Sequence, residues 1–240
     1  MSTRRSRQTI CALATPAGDG AVGLVRISGA DALALLQRAS GRRRFAARRL
    51  QLVQLRDPAT GQVIDQVLAA YMPGPRSYTG EDVVEVSGHG GRLNMEQLLS
   101  LFVGLGARIA DPGEFTRRAF LNGRLDLTQA EAVAEVIAAR SERALRNARA
   151  LLEGALGRRV RELRGEVVRL AADLEARVDF ADETEMEGID ARLAADHRRL
   201  RREVGALAES YAQGRRLGGV AVAFTGAVNA GKSRLYNALL

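Results

Sequence analysis

The only lysine of this 240-residue chain, Lys232, lies in a loop whose composition is typical of phosphate binding. Residues 226–233 read Gly-Ala-Val-Asn-Ala-Gly-Lys-Ser and match the pattern G-x-x-x-x-G-K-S. In such a loop, backbone N–H groups and the N-terminus of the next helix surround an anion, and the lysine ammonium places a point charge between phosphate oxygens. The pattern therefore predicts a nucleotide phosphate site.

The elements that flank this loop are those that a phosphate site needs. Residues 219–225 are predicted to form a buried strand, and a helix is predicted to begin at Ser233. Only seven residues follow Ser233, whereas a nucleotide-binding domain needs on the order of 100 residues to bury a core. The guanine-nucleotide signatures D-x-x-G and N-K-x-D do not occur in the sequence. We therefore expect an N-terminal portion of a longer protein, which does not hydrolyse nucleotide by itself.

Two charged residues in the first half of the chain stand in the middle of predicted apolar strands. Arg26 lies in a strand predicted over residues 22–27, and Glu85 lies in one predicted over residues 83–86. A charge on a largely buried strand is costly unless it is paired. Either the two side chains pair with each other or they face a polar ligand, and the residues alone leave both alternatives open.

The elements that must position these charges alternate between strands and helices from residue 8 to about residue 125. Ser28 or Asp31 is available to cap the first helix of this region. Strands are predicted over residues 9–13, 22–27, 50–55, 63–71 and 83–86, and helices over residues 31–39 and 93–105.

Two glycine-rich turns in this region resemble known motifs, and both are interpreted as turns. Residues 18–23 match the dinucleotide fingerprint G-x-G-x-x-G, but that fingerprint leads into a helix, and here a predicted strand follows. His89 lies in a Gly-His-Gly-Gly run like the oxyanion turn of esterases, but the sequence has no G-x-S-x-G serine. We expect His89 to shape a tight turn.

The hydrophobic period changes near Asp126, where a long helical region is predicted. Residues 128–131, Thr-Gln-Ala-Glu, match a capping box. An apolar seam spaced by three and four residues runs over residues 156–178, and a second amphipathic helix is predicted over residues 189–213. The two seams are not expected to bury each other completely. The acidic cluster between them is interpreted as a solvated turn rather than a metal site; it contains Asp179, Asp182, Glu183, Glu185 and Glu187.

Bulk composition excludes several classes of protein. A hydrophobic fraction of 46% is enough for a core, and a single cysteine excludes an internal disulfide and suits a reducing, cytoplasmic compartment. No apolar run approaches the roughly 20 residues of a membrane span, so no membrane association is expected. The net charge of +8 admits an RNA-binding helical protein, but tryptophan is absent. We interpret the arginine runs at residues 42–44 and 48–49 as solvated faces.

Several segments together resemble one family, the MnmE (TrmE) tRNA modification GTPases, and they occur in family order over essentially the whole chain. The phosphate loop is one of them. The others are Ala-Thr-Pro at residues 14–16, Leu-Val-Arg-Ile-Ser-Gly at 24–29, Pro-Gly-Pro-Arg-Ser-Tyr-Thr-Gly-Glu-Asp at 73–82, Gly-His-Gly-Gly at 88–91, the run from Pro112 to Gly123, and Leu-Asp-Leu-Thr-Gln-Ala-Glu-Ala at 125–132.

The resemblance implies a fold class and three domains. Residues 1–125 would form an α+β domain that binds tetrahydrofolate and dimerises, resembling folate-dependent aminomethyltransferases. Residues 126–215 would form the first part of an all-α helical domain. Residues 216–240 would begin an α/β P-loop GTPase domain. A stand-alone folate-dependent aminomethyltransferase-like module is the alternative, and the phosphate loop argues against it because such a module has no use for one.

The resemblance also implies which residues bind ligands. Arg26, Glu85 and Arg124 fall where the family contacts folate, as 5,10-methylenetetrahydrofolate or 5-formyltetrahydrofolate. GTP would be held by the loop residues Asn229, Ala230, Gly231, Lys232, Ser233 and Arg234. Within that set Asn229 would bind potassium and Ser233 magnesium, and no catalytic residue is assigned in this chain.

The partners implied are a second copy of the chain, tRNA and the FAD-containing protein MnmG (GidA). With MnmG, the family adds an aminomethyl-type group to C5 of the wobble uridine of certain tRNAs. The chain departs from the usual family loop at Ala227, Val228 and Arg234, which leaves the phosphate-binding glycines and the lysine in place.

Overall fold

The computed structural model describes residues 8–16, 18, 20–179, 189–214 and 223–239. It divides the chain into two compact units, Met1–Gly157 and Arg158–Leu240. In the described part of the chain, no helix is both long and apolar enough to cross a bilayer.

The first unit is built on a six-stranded mixed sheet with the strand order β3-β4-β5-β2-β1-β6. Neighbouring strands are antiparallel except β1 and β6, which are parallel. All five strands predicted for this unit are confirmed, whereas β6 was not predicted, because its two residues are too few to show a period. The strands are β1 (Ile10–Leu13), β2 (Val22–Ser28), β3 (Leu50–Arg56), β4 (Val63–Met72), β5 (Val83–His89) and β6 (Arg108–Ile109).

The core lies between one face of this sheet and two helices, α1 (Ala32–Ser40) and α2 (Arg92–Gly104). Alternate residues of the strands enter it, and helix residues such as Leu36, Leu98 and Phe102 fill it from the other side. Both helices are confirmed. Of the two predicted cap residues of α1, Asp31 occupies the N-cap position but makes no side-chain capping bond, because its carboxylate accepts from Thr9 Oγ1, and Ser28 bonds elsewhere.

The opposite face of the sheet carries the charged pair. Since Val25 and Ile27 face the core, the intervening Arg26 points to the opposite face. This face is only partly covered, and it exposes leucines at its β3–β4 end. A further helix, α3 (Glu114–Leu121), contributes Phe115 beside Arg26. The hydrophobic period of the sequence does not predict this short helix, because a proline and a glycine, which are typical of turns, stand just before Phe115.

The helical region is broken more often than the sequence pattern indicates. The helices are α4 (Leu127–Ala138), α5 (Glu142–Leu152), α6 (Ala155–Asp179) and α7 (Ile189–Gly214). Ser141 N-caps α5, and Gly154 has a φ of 76° between α5 and α6. The capping box is real but lies two residues earlier than predicted, because Asp126 accepts from the backbone N–H of Gln129, whose side chain bonds back.

In the second unit, α6 and α7 pair through part of their seams. Leu163, Leu193 and Leu200 are buried, whereas Val167 and Val178 remain exposed, which confirms that the two helices do not bury their seams completely. Arg199 and Glu166 join the helices with an Nη1–Oε2 distance of 2.6 Å. Except for Asp179, the acidic cluster lies outside the described residues, within which no group of side chains is placed to hold a metal ion.

Candidate functional site

Arg26 and Glu85 occupy directly opposed positions on β2 and β5. The guanidinium contacts a single carboxylate oxygen, with distances from Glu85 Oε1 of 2.8 Å to Nε and 2.7 Å to Nη2. Both side chains remain about a quarter exposed, at 25% and 27%. Of the two alternatives that the sequence leaves open, pairing is therefore observed. No side chain in the described part of the chain donates to Glu85 Oε2, so the pair keeps an accessible acceptor.

Two aromatic rings enclose the arginine of this pair. The Arg26 guanidinium carbon lies 5.1 Å from the centre of the Tyr78 ring and 5.8 Å from that of Phe115. These distances are within the range of a cation–π interaction. The Tyr78 hydroxyl in turn bonds Thr116 Oγ1 at 2.8 Å. Arg26 is therefore held in one position by β5, by the loop after β4 and by α3.

Arg124 meets the same loop from the segment after α3. Its Nε donates to the Ser77 carbonyl at 3.0 Å, which leaves both terminal nitrogens without a partner among the described residues. Asn122 Nδ2 donates to the Thr79 carbonyl at 2.7 Å. Gly80, with a φ of 80°, lies against both side chains, and a Cβ there would be 3.0 Å from Asn122 Cβ. Arg124 contacts Ser77 and Arg26 contacts Tyr78, so the two arginines contact adjacent residues of one loop.

A buried polar network fixes the loop on the sheet. Glu81 Oε2 accepts from Ser28 Oγ at 2.7 Å and from Arg118 Nη1 at 3.0 Å. Ser28 Oγ also bonds Thr79 Oγ1 at 2.7 Å. Arg118 is almost fully buried, and its Nη2 donates to the Gln8 carbonyl. The end of β2, the loop and α3 are therefore tied together at one point, and a surface cleft of about 690 Å³ opens beside Glu81 and Asn122.

Glu114 extends this network at the start of α3. Its Oε1 contacts Arg108 Nη2 at 2.6 Å and Arg118 Nη2 at 3.0 Å, and its Oε2 accepts from the Asp111 backbone N–H. Burial alone would raise the pKa of Glu114, but these donors outweigh it and lower the pKa to about 2. Glu114 is therefore ionised at neutral pH and holds two arginines.

His89 is the last residue of β5, directly before the connection to α2, and is thus a strand residue rather than part of the tight turn that the sequence predicts. Asp65, which is buried, accepts from the His89 backbone N–H at 2.9 Å and lies 2.7 Å from its Nδ1. Asn94 Nδ2 donates to the same carboxylate at 2.7 Å. These bonds lower the pKa of Asp65, although burial opposes them. Asp65 thus anchors the β5–α2 turn.

The loop that the sequence predicts to bind phosphate contains two left-handed residues directly ahead of a helix. Asn229 and Gly231 have left-handed φ values of 63° and 83°, and α8 (Lys232–Leu239) follows directly, which confirms the predicted helix. Lys232 Nζ donates to the carbonyls of Gly226 and Ala227 at 2.9 and 2.6 Å. Alternating left-handed residues ahead of a helix N-terminus make a concave array of N–H groups. Ala230 turns back onto Ala227, and Ser233 and Arg234 are exposed in the first turn of α8.

The strand predicted ahead of this loop is not confirmed. Residues 223–225 are not in a strand, and residues 219–222 of the prediction lie outside the described residues.

Sequence reasoning found the charged pair but missed the residues that hold it. Tyr78, Phe115, Glu81 and Arg118 act through contacts between residues about 37 to 89 positions apart in the chain. A local pattern carries no signal for such contacts. These four residues do lie in the segments, residues 73–82 and 112–123, that carry the family resemblance.

Comparisons with known proteins cover both halves of the chain. Residues 9–124 match the family model described as "GTP-binding protein TrmE N-terminus". Residues 127–219 match the model described as "MnmE helical domain".

Curated proteins similar to this chain carry the name "tRNA modification GTPase MnmE". The protein of Syntrophus aciditrophicus is 45% identical over 239 residues, which are 98% of this chain and 52% of that protein. The protein of Alkalilimnicola ehrlichii is 48% identical over 235 residues, with the same coverage. That of Moorella thermoacetica is 46% identical over 239 residues, 97% of this chain and 51% of that protein. The chain spans about half the length of the curated relatives that it matches.

Proposed function

This chain belongs to the MnmE family of tRNA modification GTPases, and from that premise we propose that its first unit binds a tetrahydrofolate one-carbon carrier. The observation that carries the proposal is the convergence of three distant segments on the Arg26–Glu85 pair. β2 and β5 supply the pair, the loop after β4 supplies Tyr78, and the segment from Phe115 to Arg124 closes the site.

The hydrogen-bonding atoms of this site that lack partners among the described residues complement the polar groups of a folate. A pterin ring offers N–H donors to a carboxylate, and Glu85 Oε2 accepts no bond from the described residues. The glutamyl tail of a folate offers carboxylates, which guanidinium forks bind in a bidentate manner. The terminal nitrogens of Arg124 are exposed and unpartnered in the described structure. A bound tetrahydrofolate would supply the one-carbon unit, and the residues of this chain orient it.

The phosphate loop is proposed to bind GTP. Lys232 and the N–H groups from Gly231 to Arg234 would contact the phosphates, with the Ser233 hydroxyl on magnesium and the Asn229 side chain on potassium. The Ala230 N–H bonds the Ala227 carbonyl, so Ala230 would line the loop without donating. Support comes from the left-handed residues ahead of α8 and from the Lys232 ammonium, which lies over the loop carbonyls. Hydrolysis is proposed for the whole protein, because the sequence of this chain contains neither D-x-x-G nor N-K-x-D.

A homodimer through the first unit is proposed from the partly covered sheet face. Leu52 and Leu68 are register partners on β3 and β4 and are 60% and 42% exposed, and Leu50 beside them is 67% exposed. Exposed leucines grouped on one sheet face are typical of an interface. The leucine patch, Leu50, Leu52 and Leu68, leads across β4 to Glu85, so a second copy seated there would border the folate site.

For the whole protein we propose the reaction that the family resemblance implies. In the cytoplasm, together with an FAD-containing MnmG (GidA) partner, it would add an aminomethyl-type group, carboxymethylaminomethyl, to C5 of the wobble uridine of certain tRNAs.

The test of the binding function is a calorimetric titration of the purified chain with 5-formyltetrahydrofolate, because the chain has no tryptophan to report binding by fluorescence. The proposal predicts saturable binding with a Kd in the micromolar range. A folded chain that binds no folate would contradict it.

A further inference from the structure

Nearly all of the net positive charge of this chain is contributed by one stretch of its sequence. Residues 32–56 contain seven arginines and no aspartate or glutamate, so they contribute +7 of the formal net charge of +8. Five of these arginines lie within residues 41–49, the connection between α1 and the edge strand β3. We call residues 41–49 the arginine segment. In α6 and α7, by contrast, arginines are mixed with acidic residues.

The backbone of the arginine segment is fixed by neighbouring elements. Gln37 of α1 donates through Nε2 to the Arg43 carbonyl at 2.8 Å. Gln51 of β3 exchanges side-chain bonds with the backbone of Ala46. Arg48, which has a left-handed φ of 59°, donates its backbone N–H to the Tyr71 carbonyl at 2.7 Å. The segment therefore presents its side chains from a defined backbone.

The guanidinium groups of the segment are exposed, and most lack partners. Arg42 packs over Phe45 at 5.4 Å, and Arg48 donates to the Arg76 carbonyl at 2.7 Å. Arg43, Arg44 and Arg49 make no side-chain hydrogen bond, ion pair or ring contact within the described residues. An incoming anion would therefore reach them without breaking an existing ion pair.

Three exposed arginines on helices elsewhere in the described chain show a different arrangement. Arg92, Arg146 and Arg192 each contact an acidic residue four positions away on their own helix. In such a pair the carboxylate cancels the positive charge of the arginine at long range, so a distant phosphate is attracted less strongly. The arginine segment has no carboxylate within its own stretch of sequence, so its field is uncompensated locally.

We propose that the arginine segment binds the phosphate backbone of a structured RNA, which is tRNA if the proposed function holds, on which this assignment rests. Guanidinium forks bind phosphate oxygens in a bidentate manner. Between Gly41 and Arg49 the only large apolar side chain is Phe45, which is half-buried under Arg42, whereas a membrane-binding segment exposes apolar side chains. The exposed leucines that follow, Leu50 and Leu52, belong to the leucine patch that is proposed as the dimer interface. The chemistry therefore favours RNA over a lipid surface.

The experiment is a salt titration of tRNA binding by the 240-residue chain, measured by fluorescence anisotropy of labelled tRNA. The test variant combines Arg43→Ser, Arg44→Ser and Arg49→Ser. The control combines Arg92→Ser, Arg146→Ser and Arg192→Ser, which removes the same net charge from paired positions. The slope of log K against log salt should flatten by about 3 in the test variant, about 1 for each lost phosphate contact, and affinity should fall about tenfold or more. The control should keep the wild-type slope.

Three results would overturn the assignment. The first is a test variant that binds tRNA like the wild type, and the second is a control that weakens binding as much as the test variant does. The third is binding of phosphatidylserine vesicles that only the test variant loses while its tRNA binding is unchanged. Parallel folate titrations separate the two proposals: folate binding without tRNA binding contradicts only the segment assignment, and the reverse contradicts only the folate site.

Discussion

Arg26 on β2 and Glu85 on β5 lie opposite each other in the antiparallel register, and their ion pair spans 2.7 Å between Nη2 and Oε1. Both charges are satisfied without a ligand, yet the second carboxylate oxygen remains without a partner among the described residues. Because aromatic rings hold the arginine, the free oxygen has a fixed direction. The pair is thus both a structural contact and a prearranged acceptor.

Arg118 should be a main determinant of the stability of the first unit. Its removal would leave the partly buried Glu81 without a cation and Glu114 with Arg108 alone, and breaking a buried pair in this way costs about 3–5 kcal/mol. Arg117, its exposed neighbour on α3, provides the matched control. In urea denaturation we expect Arg118→Ala to lose that amount and Arg117→Ala to stay within about 0.5 kcal/mol of the wild type. Equal losses in the two variants would refute the role of the network.

Acid should destabilise the first unit through Glu114. The pKa of this carboxyl is lowered to about 2 in the folded chain, from an ordinary glutamate value of 4.5. Its contribution to stability is therefore fully present above pH 4.5 and is lost as the pH falls towards 2, and it amounts to about 3 kcal/mol. Glu114→Gln, which does not titrate, should be less stable at pH 7 and lose less stability on acidification. Urea midpoints from pH 6 to pH 2.5 measure this, and an acid dependence equal to that of the wild type would exclude Glu114.

The leucine patch should control dimerisation. Replacing Leu52 and Leu68 by glutamate places like charges on register-paired positions of the proposed interface, so the dimer should dissociate. Leu93→Glu is the control, because Leu93 is at least as exposed as the two patch leucines but lies on α2, which packs against the other sheet face. Sedimentation velocity should show a monomer for the double variant and a dimer for the control. A dimer in both would place the interface elsewhere.

Replacing Lys232 should not change the affinity of the 240-residue chain for folate. We expect no phosphate release from GTP by the wild-type chain or by Lys232→Ala, because the sequence lacks the D-x-x-G and N-K-x-D segments. Folate affinity should be equal in the two proteins. GTP turnover by the wild type that Lys232→Ala abolishes would show that these 240 residues are sufficient for hydrolysis.

How far the sequence predicts this fold depends on how local each signal is. Alternation revealed β2, a short apolar run revealed β5, and a charge within each strand revealed Arg26 and Glu85. The capping box was misplaced because Thr128 and Asp126 both fit its first position, and only the bond from Gln129 decides between them. Arg118 is an ordinary helical arginine in the sequence. Its partner Glu81 lies 37 residues away, so only the folded chain reveals their contact.

The most direct test of the folate site is the affinity of Glu85→Gln for 5-formyltetrahydrofolate, measured by calorimetry beside the wild type and Glu96→Gln. Glu96 is an exposed glutamate of α2 that also pairs with an arginine, so its variant carries the same change of charge. Losing a hydrogen bond to a charged acceptor costs about 1.5–3 kcal/mol, so Glu85→Gln should bind about 10- to 100-fold more weakly. Glu96→Gln should bind like the wild type. If a folded Glu85→Gln bound folate with unchanged affinity, the Arg26–Glu85 pair would not be part of the folate site, which would contradict the account.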